Sequence, residues 1–266
     1  MGLEPQRETP GFRVVCWNMG AAYGPYVQRH DCAWHWLAAL DPDLMLLQET
    51  VPPAWARELW NVHTLPYTHW ASAIAVRPGI PFAPIEPAPE SLLGRFESYL
   101  ATGDLTLGDG STMLIGSVHA RAAEAPAWVT EGHDTATMAR PSVGVPWSND
   151  VAFAAYRELA AGRRFLIGGD WNTARYLDDA GVAEPMGQEF FERTSAAGWI
   201  ELSLDAEGHE GRSWYGSGNP RPYQNDHVFS DPATAEKLKS FLIDPYPVTS
   251  LSLSDHAPLL VELVLA

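Results

Sequence analysis

Short apolar runs alternate with amphipathic stretches along this chain. Residues 12–17 are almost continuously apolar and β-branched between Gly11 and Asn18, which predicts a strand buried on both faces. A helical pattern follows over Tyr26–Leu40 and is stopped by Asp41-Pro42, because the residue before a proline is driven out of the helical region. Residues 44–47 form a second buried strand ending at Gln48-Glu49, so the chain opens as β-α-β. Next come a helix over 54–60, strands over Ala71–Val76 and about 95–101, a proline-rich stretch at 78–89 between those strands, and a hairpin turn at Asp109-Gly110. A strand over 113–118 ends at His119. Residues 120–149 carry Trp128, His133, Arg140 and Trp147 among Gly and Pro, the pattern of a long functional loop. A helix over 151–160 leads into a strand over 164–167 that ends in Gly168-Gly169-Asp170-Trp171-Asn172. The last third predicts a helix near 188–197, a turn at 216–218, a strand after Asp226-His227 and a final strand over 257–263.

Composition narrows the class. The chain has 266 residues, 46% hydrophobic and 19% charged, which is apolar enough to bury a sizeable core. Neither a repeat nor a low-complexity tract marks a boundary, so a single domain over 1–266 is expected. No apolar run approaches the roughly 20 residues of a membrane-spanning helix. The first ten residues mix acids and prolines, unlike a secretory signal. Cys16 and Cys32 show no disulfide spacing, so a cytoplasmic monomer with reduced thiols is expected. The net charge is −16, from 17 Lys+Arg against 33 Asp+Glu. Such a surface repels polyanions, since nucleic-acid affinity comes largely from cations replacing counterions on phosphates. Any nucleic acid is met through a local site and metal ions.

The chemistry lies at the strand ends. Asn18, Glu49, His119 and Asp170 each close an apolar strand that does not itself require a polar residue. Ligands bind beyond the carboxyl ends of parallel strands in sheets covered by helices. The pairs Asp226-His227 and Asp255-His256 begin strands instead and reach the same rim if those strands run antiparallel, which predicts mixed sheets. Carboxylates and amides without thiolates suit Mg²⁺ or Mn²⁺. An imidazole beside such a cation serves proton transfer or stabilises a leaving oxygen. These are the parts of a phosphate-ester hydrolase. Taken singly, Asn18 reads as a turn residue and Asp170 as a helix cap; the ordered set does not.

Cys16-Trp17-Asn18, Leu47-Gln48-Glu49, Val118-His119, Gly169-Asp170-Trp171-Asn172, Asn225-Asp226-His227 and Ser254-Asp255-His256-Ala257-Pro258 together resemble the motif series of the endonuclease/exonuclease/phosphatase superfamily. The resemblance spans most of the chain. It implies a four-layer α/β sandwich with two packed mixed β-sheets flanked by helices, and a Mg²⁺- or Mn²⁺-dependent phosphoesterase. It also implies that Glu49 is the principal metal ligand, with Asn18 and Asp255 close to the metal or phosphate. Asp170 would orient or deprotonate water, Asn172 would hold a phosphate oxygen, and His256, held by Asp226, would stabilise the transition state or act in proton transfer. Glu97 and His119 would form a second dyad. Two departures argue against abasic-site repair and against an inositol polyphosphate phosphatase: Ser117-Val118-His119-Ala120 lacks a tyrosine and asparagine motif, and Arg221-Pro222-Tyr223-Gln224-Asn225-Asp226-His227 lacks a Trp-Cys-Asp-Arg pattern. His227 receives no role.

The leading expectation is a phosphodiesterase of nuclease type attacking by water. The alternative is a phosphatase or phosphodiesterase for a small phosphorylated metabolite or lipid headgroup, and a catalytically silent binding module stands as the alternative from another class. Arg121, Arg140, Arg175 and Arg221 are candidate phosphate ligands, while His30 and His35, five apart on a helix, read as helix surface rather than a metal pair.

Overall fold

The computed structural model describes residues 11–22, 24–64, 71–96, 99–175, 186–216 and 223–265. One sheet has the order β11-β12-β1-β2-β4-β3, formed by β1 (Phe12–Asn18), β2 (Leu44–Thr50), β3 (Asn61–Thr64), β4 (Ala71–Val76), β11 (Leu238–Ile243) and β12 (Leu259–Leu263). The other has the order β5-β6-β7-β8-β10-β9, formed by β5 (Phe82–Pro84), β6 (Leu100–Thr106), β7 (Thr112–His119), β8 (Arg164–Asp170), β9 (Ile200–Glu201) and β10 (Asp226–Ser230). Each sheet holds one parallel pair at its centre, β1 with β2 and β7 with β8. Antiparallel neighbours flank each pair, β12 and β4 in the first sheet, β6 and β10 in the second. The sheets are therefore mixed and have matching layouts.

The period-2 alternation of each strand explains the layering. Val14 and Cys16 of β1, Leu44 and Leu46 of β2, Met113 and Ile115 of β7 and Leu166 of β8 pack together between the sheets. Their neighbours Val15, Trp17, Met45 and Leu47 turn the other way, onto Ala33, Trp34 and Leu37 of the helix Tyr26–Leu40. On the far side, Leu114, Val118, Phe165 and Ile167 pack onto Phe153 and Tyr156 of the helix Ser148–Ala160 and onto Phe190 of the helix Met186–Ala196. Helix, sheet, sheet and helix make a four-layer α/β sandwich with three apolar interlayers. Each fully buried Leu or Ile in them contributes about 1.5–3 kcal/mol.

Several elements differ from the sequence expectation, among them the expected loop over 120–149, which carries the short helices Ala127–Thr130 and Thr135–Met138. The strand expected over 95–101 is a short helix, Leu92–Arg95, followed by β6; Ser91 caps it by accepting from the Gly94 N–H, a local bond the apolar pattern does not reveal. Strand β11 lies at the sheet edge with mostly exposed residues, so it lacks the buried pattern that marks a strand. The proline-rich stretch contains the three-residue β5. Residues 217 and 218 of the expected turn lie outside the described residues. Among the described residues, no helix is long and apolar enough to cross a membrane.

His30 is not helix surface as the sequence led us to expect: it is buried and links the first helix to the end of β2. Its Nε2 accepts from the Val51 N–H at 3.0 Å and lies 3.2 Å from Thr50 Oγ1. It is thus used as a neutral acceptor, and burial pushes its pKa down from 6.5 to about 4. His35, by contrast, stacks on Trp55. Between pH 6.5 and 4 the unfolded chain binds a proton at His30 that the folded chain refuses. The stabilisation is complete above the upper value and is lost as the pH falls, by up to about 3 kcal/mol. Urea unfolding across this window is expected to show a smaller pH slope for His30→Gln than for the wild type; equal slopes would remove His30 from the acid sensitivity.

Candidate active site

The alternation that fills the intersheet layer also carries a polar side chain into its open end. Asn18 follows Val14 and Cys16, Asp170 follows Leu166 and Gly168, His119 follows Met113 and Ile115, and Asp226 precedes Val228 on the same faces. Asp226 pairs with Asp170 across β10 and β8, and His119 with Asp170 across β7 and β8. Beneath them, Gln48 Nε2 donates to Ser117 Oγ at 2.9 Å, tying one sheet to the other. The two glycines before Asp170 permit the approach, since a Cβ on Gly169 would stand 1.9 Å from the Val118 carbonyl oxygen.

Glu49 breaks the alternation. By parity it belongs on the helix-facing side with Leu47, but the register of β2 on β4 shifts between Leu47 and Thr50 and Glu49 adopts φ 45°. This bulge re-aims the carboxylate into the site, a use to which bulges are often put. His256 arrives from the loop before β12. Trp17 Nε1 donates to its carbonyl at 2.7 Å, and Ser254 Oγ donates to the Asn18 carbonyl at 2.8 Å.

The polar groups form one connected set. Asn18 Nδ2 donates to Asp170 Oδ2 at 2.9 Å and to Glu49 Oε1 at 3.2 Å. Asn172 donates to Asp170 through its backbone N at 2.9 Å and through Nδ2 at 3.1 Å. Nε2 of His119 lies 3.3 Å from Glu49 Oε1, and Nε2 of both His119 and His256 lies 3.8 Å from Asp170 Oδ2. His256 Nδ1 is 2.8 Å from Asp226 Oδ2, which also accepts from Ser213 Oγ at 2.6 Å. Asp255 lines the same cavity of about 350 Å³, together with Tyr99, Arg121 and Trp214. A larger cavity at the start of β8, about 720 Å³, is lined by Phe153, Arg157, Arg163 and Arg193 and holds none of this constellation.

Burial and charge separate the roles of the two histidines. Burial pushes His119 down to about 3, helped by the positive charge of His256. Burial would also depress His256, but the carboxylates of Asp226 and Asp170 overcome it and raise the imidazole to about 10. One histidine is therefore neutral and the other an imidazolium, a split that marks acid and base assignments. Burial raises Asp170 to about 7, against the pull of His256. Glu49 is raised mainly by burial, with Asp255 adding to it.

The donor set fits a hard cation. Glu49 Oε2 and Asp226 Oδ1 are buried and accept no hydrogen bond among the described residues. Such orphaned acceptors are costly unless a cation or water meets them. Ligand atoms of Asp170, Asp226 and His256 lie within 4.8 Å of one another, a spacing able to hold a metal ion. Asp226 and Asp170 flank the His256 imidazolium, at 2.8 Å from Nδ1 and 3.8 Å from Nε2, whereas Glu49 Oε2 meets no hydrogen-bond donor among the described residues.

All the expected site residues among the described ones meet here: Asn18, Glu49, His119, Asp170, Asn172, Asp226, Asp255 and His256. Glu97 lies outside the described residues, as does Arg221. Arg140 is buried against Asp150, and Arg175 bridges Glu201 and Glu210 at 2.7 and 2.9 Å. Both therefore serve the fold rather than a phosphate. Sequence reasoning missed Ser213, which carries no pattern signal. It also gave no role to His227, which lies 2.7 Å from Glu201 Oε1 through Nδ1 and donates to the Thr173 carbonyl at 2.9 Å through Nε2. That bond steadies the turn holding Asn172, whose φ is 47°.

A four-layer sandwich with clustered carboxylates and histidines at the end of its intersheet layer defines a metal-dependent phosphoesterase in general terms. The chain belongs to the endonuclease/exonuclease/phosphatase family, whose sequence profile matches residues 15–256. Among solved structures, it is similar to the 3′ phosphatase NExo from Neisseria bound to product DNA hairpin, with a TM-score of 0.70 at 16% identity over 95% of this chain and 99% of that one. It is similar also to an AP endonuclease from Archaeoglobus fulgidus, with a TM-score of 0.64 at 12% identity over 94% and 98%. The human Nocturnin catalytic domain with bound sulfate gives a TM-score of 0.63 at 16% identity over 97% and 94%. At these identities the likeness concerns the fold. No curated protein sequence matches the chain.

Proposed function

We propose that the chain hydrolyses phosphodiester bonds by direct attack of water with Mg²⁺ or Mn²⁺ bound. The observation that carries this reading is the position of Asp170 between two differently charged groups, Glu49 with neutral His119 on one side and the Asp226–His256 imidazolium pair on the other. Glu49 would hold the cation, with Asn18 and Asp255 beside it. When bound, the cation supplies neutralisation of the phosphoryl oxygens and polarisation of water. Asp170, with a pKa raised to about 7, is basic enough to take a proton from the attacking water. Asn18 and Asn172 hold its two oxygens and fix its direction. His256, charged and oriented through Nδ1 by Asp226, presents Nε2 to the oxygen that gains charge as the ester bond breaks.

A nuclease is the form suggested by the nucleic-acid enzymes among the similar structures, such as the 3′-5′ exonuclease NExo from Neisseria meningitidis. The second reading, a small phosphoester, is favoured by the charge of −16. Side-by-side hydrolysis of bis(p-nitrophenyl) phosphate and p-nitrophenyl phosphate with Mg²⁺, Mn²⁺ or EDTA tests the proposal. Diester cleavage that stops in EDTA and returns with either cation is expected. Cleavage that persists in EDTA, or no cleavage of either ester, would overturn it.

A further inference from the structure

Among the described residues, several arginines are already engaged by acids, carbonyls or a ring. Arg175 is held by Glu201 and Glu210. Arg140 is held by Asp150. Arg212 donates to the Trp214 carbonyl at 3.1 Å and lies over the Tyr215 ring at 4.3 Å. Arg29 donates to the Ser252 carbonyl at 3.0 Å. Arg121 differs from all of these. It lines the cavity two residues after His119, is exposed, and makes no ion pair among the described residues. Among the described residues, and apart from the site histidines, it is the only basic residue lining the cavity. In sequence, segments 176–185 and 217–222 add three acids and one further cation, Arg221.

This distribution bears on substrate size. A nucleic-acid strand presents a phosphate at every nucleotide, and its binding draws on one Lys or Arg contact per phosphate neutralised. With Arg121 the one cavity-lining arginine among the described residues, flanking phosphates would face Glu49, Asp170, Asp255 and a chain of net charge −16. A field of that sign slows the approach of a polyanion and hardly affects a single phosphoryl group held by a cation. The cavity walls suit a compact organic group. Trp214 stacks on Tyr223 with centroids 6.4 Å apart and is fixed by a backbone bridge to His256, and Tyr99 lies 5.7 Å from the His119 ring.

Building on the phosphoesterase reading above, we infer that the substrate is a low-mass phosphoester with one phosphoryl group, gripped by Arg121, and not a nucleic-acid strand. Arg121 is the specificity residue: its guanidinium matches two phosphoryl oxygens at once.

The test uses the full chain with Mn²⁺ and two substrates, the p-nitrophenyl ester of thymidine 5′-monophosphate and a single strand of ~20 nucleotides, across ~25 to ~300 mM KCl. The small ester is expected to show a kcat/KM at least about tenfold higher than the strand. Its logarithmic salt slope should be no steeper than about −1. Arg121→Ala is expected to raise KM about tenfold with kcat nearly unchanged, the loss of one charge-assisted contact, and Arg121→Lys to recover part of it. Fluorescence anisotropy of the labelled strand, without turnover, should show no saturable binding near physiological salt. Equal or better turnover of the strand, a slope of about −2 or steeper for that strand, or an unchanged KM in Arg121→Ala would overturn the inference and leave the phosphoesterase reading standing. If neither substrate is turned over and calorimetry detects no Mn²⁺ binding, the phosphoesterase reading fails and the inference falls with it.

Discussion

Asp170→Asn is expected to lower kcat about 1,000-fold, within the range for loss of a positioned general base. The substitution keeps the shape and the Asn172 contacts on one oxygen, but an amide takes no proton from water. Activity of the wild type should rise with pH through a limb no higher than about 7, set by the Asp170 carboxyl that burial raises to about that value. A bound divalent cation favours the carboxylate and moves the limb to lower pH. The variant should lose the limb. Its folding makes the result interpretable. Because the folded pKa lies above the ordinary value of 3.8, ionising this buried acid weakens the fold as the pH rises between the two. An amide carries no such charge, so Asp170→Asn should melt no lower than the wild type at pH 8 in EDTA. Near-wild-type kcat would remove Asp170 as the base, and a much lower melting temperature would mean that the loss reflects unfolding.

His256→Ala and Asp226→Asn should each cost at least about 100-fold in rate, the range of lost proton transfer or charge stabilisation. The two act as a unit. Asp226 Oδ2 accepts from His256 Nδ1 and Ser213 Oγ together; an Asn there would remove the negative charge that keeps the imidazole protonated. The double variant is therefore expected to be no more than slightly slower than either single one, as happens for residues that share a role. Steady-state kinetics on the four proteins decides it. Multiplicative losses would show that the two residues work independently, and a near-wild-type His256→Ala would exclude that histidine from the mechanism.

The outline of the fold was legible because burial leaves a local trace. Continuous apolar strands such as 12–17 and 44–47, split by an amphipathic helix, already require layers on both faces of a sheet. Polar residues at the ends of those strands stand out against that background, and for this reason Asn18, His119 and Asp170 could be named without coordinates. The edge strand β11 and the helix Leu92–Arg95 were not legible, since the first buries little and the second depends on a serine cap.

What only the tertiary structure decided is how those residues meet. Asn18 and Asp170 come from different sheets, 152 positions apart, and touch at 2.9 Å because apolar packing sets the gap between the sheets. Glu49 enters through a bulge that its own alternation opposes. The opposed charge states of His119 and His256 arise from burial combined with the arrangement of carboxylates. The engagement of Arg175 by Glu201 and Glu210, 26 and 35 positions on, likewise depends on neighbours distant in the chain. Side-chain periodicity is a property of consecutive residues and can be read in order. Distances, desolvation and electrostatic coupling depend on residues brought together by folding, so the sequence specified the participants and the packed sheets determined their chemistry.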